Sequence, residues 1–502
     1  MSKYIVAIHQ GTRNTRCVIF DQGIPISATE REHRQIYLRP GWVEHRPLEI
    51  WERVQEVIAK TLKKTRIQPK DLVALGITNQ RETTIIWDKQ TGKPYYNAIV
   101  WQDTRTKEIC DQLISEGYQD FFRNRTGLPL STYFSGLKIK WILDNVSGVR
   151  KAAEQGQALF GNMDTWLIWW LTGGQDNGLH ITDVTNASRT LLMNLRTLEW
   201  DEEICGLLNI PFQILPRIVP SSDPQWTAST TLKGPFEAAI PICGDLGDQQ
   251  AALVGQTCYR PGDAKNTYST GCFMLLNTGN SPIISESGLL TTVAYKLGNQ
   301  DAVYALEGSV ASTGALVQWL RDNLGIIRRS SEVEDLARFV EDSGGIYIVP
   351  TSSNLYTPYW RSDDGGMVAG LTGQTNKHHI ARAVLETTAY QTRMVLDAMQ
   401  KDYGAKLKTL KVNGQMAEYE LLMKFQADIL GVPVVKPKVM EVAALGAAYV
   451  AGLAMGIWND FEELRDHWQI DRIWKPELDD ESRQKLYDGW LAANNKALDR
   501  GG

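Results

Sequence analysis

Residues 4–21 read YIVAIHQGTRNTRCVIFD. Two runs rich in β-branched and aromatic residues, 4–8 and 16–20, flank a polar loop carrying Gly11, which is how a phosphate-cradling turn is usually written. An ordinary surface hairpin has the same signature, so the rest of the chain must decide. Residues 265–277, KNTYSTGCFMLLN, form a second polar hairpin whose Ser269-Thr270-Gly271 turn echoes the first loop. One such hairpin opening each half of the chain predicts duplicated α/β domains facing each other across a cleft.

Length and composition agree with that reading. A chain of 502 residues exceeds one ordinary core, so at least two domains are expected. With 43% hydrophobic and 22% charged residues and a net charge of -5, it reads as a soluble globular protein without the basic surface that nucleic acid or an acidic membrane would select. The six cysteines are scattered without a CxxC pair, which fits reduced structural thiols in the cytosol. The N-terminus has no apolar signal region. The longest uncharged apolar run, residues 442–458, is rich in Ala and Gly and reads as a helix pressed against a neighbouring backbone inside the protein rather than as a membrane span.

Between the hairpins, residues 47–64 carry Ile50, Trp51, Val54, Val57, Ile58 and Leu62 at helical spacing. Residues 71–77 (DLVALGI) read as a buried strand that delivers Thr78-Asn79-Gln80-Arg81-Glu82 at its carboxyl end, where open α/β sheets bind ligands. Trp101 closes another apolar run, and Tyr133 opens a segment that becomes a helix. Residues 164–171 (DTWLIWWL) read as a core helix. Residues 239–243 form a short β-run before Gly244-Asp245-Leu246-Gly247-Asp248-Gln249-Gln250. An Asp there reads two ways, as a catalytic base held by a Gly turn or as a plain helix N-cap. A helix from Gly314, a strand at 345–349, a long helix near 376–400 and a strand at 410–412 complete the order.

At these residues the chain resembles the glycerol kinases of the FGGY carbohydrate kinase family. The resemblance runs from about Tyr4 to the last helix. Residues 133–145 and 366–386 fit the two family signatures, and ITNQRETT and NTYSTGCFMLLNTG are close to the glycerol kinase wording. It implies two actin-like, hexokinase-type (ribonuclease H-like) ATPase domains of α/β class with an interdomain cleft. Residues 1–255 would carry most of the glycerol site and the first phosphate loop, and 256–502 the nucleotide site. Carried over position by position, it makes Arg81, Glu82, Tyr133, Asp248 and Gln249 the polar contacts to glycerol, with Trp101 and Phe273 along its carbon backbone. Asp248 would be the catalytic base, and Thr12, Arg16, Thr270, Gly314, Gln318 and Gln415 would stand at nucleotide-contacting positions. The implied partners are glycerol and ATP or ADP, with Mg-ATP as cofactor if the protein is active, in a cytoplasmic homo-oligomer.

The chain departs from the family on the nucleotide side. The first-loop Asp that helps to hold Mg²⁺ is His9, and Arg13 replaces a small hydroxyl residue, either adding charge for phosphates or filling the pocket. The Asp-Gly-Gly-Ala run is Asn413-Gly414-Gln415-Met416, an Asn near the adenine is Tyr419, and a Gly-rich motif is replaced by residues 352–357. Imidazole is a poor ligand for hard Mg²⁺ and imidazolium an electrostatically wrong one, while Gln415 and Tyr419 would crowd the nucleotide. The metal ligand is therefore left unassigned, with Asp245 a weak substitute. The expectation is a glycerol-binding member with phosphotransfer lost or much reduced, and the alternative is an active ATP:glycerol 3-phosphotransferase.

Overall fold

A computed structural model of the chain describes residues 3–226, 228–269, 271–310, 313–350 and 366–499. Thr270 and the 352–357 motif lie outside the described residues. The hairpin that opens the chain is formed by strands β1 (Tyr4–Gln10) and β2 (Asn14–Asp21), antiparallel in register. With β3 (Ile24–Glu32), β4 (Leu72–Asn79) and β5 (Ile242–Gly247) they build a five-stranded sheet in the order β5-β4-β1-β2-β3, in which β1, β4 and β5 run parallel.

A second sheet repeats this plan. Strands β6 (Ala264–Tyr268), β7 (Cys272–Gly279), β8 (Leu290–Tyr295), β9 (Val303–Val310), β10 (Leu410–Asn413), β11 (Val434–Pro437) and β12 (Ile470–Trp474) lie in the order β8-β9-β7-β6-β10-β11-β12. Again a hairpin, β6 with β7, is flanked by an antiparallel strand (β9) on one side and two parallel strands (β10, β11) on the other. The two hairpins thus occupy equivalent places in two related sheets, as the sequence predicts.

Period-two alternation sends the residues of β1 to two different layers. Val6 and Ile8 pack with Ile50, Val54, Val57 and Ile58 of helix α1 (Pro47–Lys64) and with Trp166 and Leu167 of α2 (Met163–Leu171). Ile5 and Ala7 face the opposite layer. There the two chain halves are locked together by small residues. Helix α3 (Asp248–Gly255) and helix α4 (Val442–Ala454) approach so closely that a Cβ on Gly446 would lie 1.9 Å from the Ala251 carbonyl oxygen, and one on Gly255 1.9 Å from that of Val442. A Cβ on Gly76 of β4 would likewise meet Ala447 at 2.2 Å. The Ala- and Gly-rich run is therefore a buried joint, and no described helix is long and apolar enough to cross a membrane. All six cysteines are buried and free.

Candidate active site

The carboxyl ends of β1, β4 and β5 meet a cavity of about 440 Å³, whose other wall comes from the second hairpin and residues 413–415. Arg81, Glu82, Trp101, Tyr133, Asp248, Gln249 and Phe273 all line it, as do His9, Thr12, Arg13, Arg16 and Gln415. Gly314 and Gln318 lie outside this lining. Gly314 begins a helix (Gly314–Asp322) whose first amide donates to the Ser269 carbonyl at 3.2 Å.

On one wall the charges are buried and paired. The Arg81 guanidinium donates to both Glu307 oxygens, at 2.6 and 2.9 Å, and Arg189 donates to Glu82 at 2.7 Å and to Glu307 at 3.1 Å. Two cations and two carboxylates therefore alternate in a buried layer of which Arg81 and Glu82 just reach the cavity. Burial pushes the Glu307 carboxyl up, but Arg189 and Arg81 outweigh it and hold it down at about 2. Burial wins at Glu82, whose carboxyl is raised despite Arg189 and Arg81. Glu82 also has φ 60°, a left-handed backbone that a non-glycine residue rarely adopts. Ser135 and Thr84 hold that turn by donating to the Glu82 carbonyl, each at 3.0 Å.

The remaining groups of this corner are held from behind. The Lys265 ammonium, pushed down to about 7 by burial, donates to Gln249 at 2.6 Å and to the Phe273 carbonyl at 3.2 Å. Lys138 is pushed to about 7 by the same cause and donates to the carbonyls of Thr132 and Tyr133. The rings of Trp101 and Tyr133 lie 5.6 Å apart and those of Trp101 and Phe273 6.1 Å apart, an apolar surface beside the charges. Asp248 stands at the first position of α3, with Gly247 as the N-cap, and its Oδ1 is 3.4 Å from Arg81 Nε. Its side chain keeps 24% exposure, which distinguishes it from the buried carboxylates around it.

The opposite wall is the first loop. The Gly11 amide closes it by donating a hydrogen bond to the Asn14 carbonyl at 2.8 Å, and Trp101 Nε1 donates to Thr12 Oγ1 at 2.9 Å, tying the loop to the aromatic corner. Arg16 is committed to Glu30 and Glu441. Arg13 is exposed at the rim, so it adds charge there and does not fill the pocket. His9 is lowered by burial against the opposing pull of Asp248, which makes it a neutral imidazole at pH 7. That removes the expected imidazolium repulsion.

The structure also places the other departures and Asp245. Gln415 is exposed at the start of a one-turn helix and lines the cavity. The position that needs glycine is Gly414, which is retained: it has φ 96°, and a Cβ there would lie 2.2 Å from the Tyr268 carbonyl oxygen. Tyr419 does not line the cavity. Its hydroxyl donates to the Ser330 carbonyl at 3.0 Å. Asp245 is no substitute ligand for the cleft, because β5 extends through Gly247 and turns this side chain into the interior.

The paired sheets and the cleft between them define the actin-like ATPase fold. Sequence comparison narrows this: residues 4–255 match the N-terminal domain and residues 264–455 the C-terminal domain of the FGGY family of carbohydrate kinases. The chain belongs to that family. It is 61% identical to a glycerol kinase of Chloroflexus aurantiacus over 500 residues, 99% of each chain, and 59% identical to a glycerol kinase of Roseiflexus sp. over the same length and coverage. Among solved structures it is similar to Plasmodium falciparum glycerol kinase with ADP, with TM-score 0.91 and 37% identity over 99% of this chain and 98% of that one.

Proposed function

We propose that the chain is an active ATP:glycerol 3-phosphotransferase, with residues 1–255 carrying the glycerol corner and the first phosphate loop and residues 256–502 the nucleotide wall. The observation that carries this reading is Asp248: a partly exposed carboxylate 3.4 Å from buried Arg81, facing a cavity with an aromatic side and a Gly-containing loop opposite. The glycerol kinase relatives at 61% and 59% identity favour it over a degenerate kinase, as do the neutral His9, the exposed Gln415 and the outlying Tyr419.

Arg81, Glu82 and Tyr133 would fix the hydroxyl edge of a small polyol, while Trp101 and Phe273 cover its C–H edge and keep water off. Asp248 accepts the proton of the terminal hydroxyl as that oxygen forms a bond to the γ-phosphorus. The bond from that phosphorus to the β-phosphate bridging oxygen breaks, and ADP leaves with the electron pair. Mg²⁺ fits the donor set, because an ion carried in by phosphates needs only one or two protein carboxylates. Asp248 is the lining carboxylate without a short ion pair, since Glu441 and Glu82 are held by Arg16 and Arg189. When bound, the ion neutralises phosphate charge.

The test is glycerol 3-phosphate formation with Mg-ATP. The intact chain should turn over at ~1 to 100 per second, and Asp248→Asn should lower the rate by about 10² to 10⁴ while glycerol binding stays within a few-fold. A chain that binds glycerol with no turnover would restore the degenerate-kinase reading.

A further inference from the structure

Behind β5, on the face away from α4, three carboxylates meet in the interior. Asp164 comes from the first turn of α2, Asp183 caps the short helix Val184–Ala187, and Asp245 projects from β5. All three are fully buried, and one oxygen from each lies within 4.8 Å of the others. None of them lines the cleft. Asp183 is held in place by five donors: the amides of Thr185 and Asn186 at 3.0 and 2.8 Å, the Asn186 side chain at 3.0 Å and the hydroxyls of Thr185 and Ser221 at 2.8 and 2.7 Å. Asp164 accepts from Thr182 at 2.6 Å through Oδ2, but its Oδ1 has no hydrogen-bond partner. Neither oxygen of Asp245 has one.

Three buried carboxylate oxygens thus have no donor of hydrogen-bond geometry, in a cluster whose formal charge is all of one sign. The charged groups that act on Asp245 are the other two aspartates. An unpaired buried charge of this kind is strongly destabilising unless something neutralises it. A single proton shared between Asp164 and Asp245 would satisfy two oxygens and leave the third to the Asp183 amide. A divalent cation would serve all three and cancel two charges. The spacing admits one, because three oxygens within 4.8 Å of one another can surround an ion with Ca–O distances of about 2.3–2.6 Å. A donor set made only of carboxylate oxygens selects a hard ion.

We propose that Asp164, Asp183 and Asp245 form a structural site for a hard divalent cation, Ca²⁺ or Mg²⁺, separate from the nucleotide's own metal. It would brace β5 against α2 three residues before Asp248. The test uses the full chain without nucleotide, first analysed for bound metal as purified, then dialysed against EDTA and titrated with Ca²⁺ and with Mg²⁺. Melting temperature and calorimetry are the readouts. The expected result is about one equivalent bound, a melting temperature that falls on chelation and is restored by one of the ions, and binding that is roughly tenfold or more weaker in Asp245→Asn but unchanged in Asp248→Asn. The proposal is overturned if the chain carries no ion as purified and neither ion moves its melting temperature, or if Asp245→Asn binds as tightly as the original. If Asp245→Asn does not fold, the metal content and chelation response of the original chain still decide.

Discussion

On the wall built by Arg81 and Glu82, the polar groups are buried ions that pair with one another; on the wall built by residues 9–16, they are a neutral imidazole, loop amides, the partly exposed pairs of Arg16 with Glu30 and Glu441, and an arginine at the rim. The first wall is a closed network spanning both halves of the chain, since Glu307 comes from β9 and its partners from residues 81, 82 and 189. Such a network tolerates no missing member, because each removal strands a charge. On the second wall Arg13 is exposed at the rim and stands there without closing the cleft. The sharpest way to break the contrast is Glu307→Ala. It leaves Arg81 and Arg189 with Glu82 and the partly exposed Asp248, so it should cost about 3–5 kcal/mol in chemical denaturation and abolish glycerol binding in calorimetry. A loss under 1 kcal/mol would mean that the network is not what orders this wall.

The same contrast separates what could be read in the sequence from what could not. Local patterns carried the first hairpin, the helix Pro47–Lys64, found with those bounds, and the small-residue character of α4. The lining residues of the charged and aromatic corner followed from wording close to known glycerol kinases. Glu307, Arg189 and Lys265 were missed. Glu307 sits in the run YALEGSV, which reads as an ordinary strand, and its partner Arg81 is 226 positions away, beyond any spacing rule. A charge in the middle of an apolar strand was the one signal available. Where the departures stand was not legible either: that Gln415 lines the cavity and Tyr419 does not is set by tertiary packing, which a motif alignment does not contain.

Acid offers a smaller perturbation, aimed at the other wall. His33 and His45 stack edge to face at 4.6 Å behind the first loop, where the His33 amide donates to the Arg13 carbonyl at 3.1 Å. Burial pushes His33 down to about 4, Glu49 pulling it up and Arg53 down more weakly, and burial puts His45 well below its usual value, with His33 adding to the effect. An unfolded histidine protonates near 6.5, so between there and about 4 the unfolded chain holds more protons than the folded one. Stability from these groups is therefore intact above pH 6.5 and is lost as pH falls towards 4, by a total on the order of a few kcal/mol. His180, also pushed to about 4 by burial, adds to the global slope, so the local readout is hydrogen exchange. Amides of residues 9–16 should lose protection in acid before those of β9, because Glu307, held at about 2, stays ionised throughout. Simultaneous loss on both walls would contradict the distinction.

The smallest expected effect tests whether the nucleotide wall is crowded at all. If Gln415 filled space that a nucleotide needs, Gln415→Gly would raise ATP affinity and turnover together. Its side chain is exposed at the rim, and the steric requirement in this turn falls on Gly414, where a Cβ would lie 2.2 Å from the Tyr268 carbonyl oxygen. Gln415→Ala should therefore change kcat and KM for ATP less than about threefold, within the ±0.5 kcal/mol usual for surface substitutions. Tyr419→Phe removes one hydrogen bond, to the Ser330 carbonyl, at a site outside the cavity. It should cost about 1 kcal/mol of stability and leave KM for ATP unchanged, because the bond joins two segments of the second domain and touches no lining residue. Initial-rate measurements on the two single variants and the double variant separate the readings. Independent exposed and structural roles predict small effects that add, whereas a shared crowded pocket predicts a gain in the double variant larger than the sum of the singles.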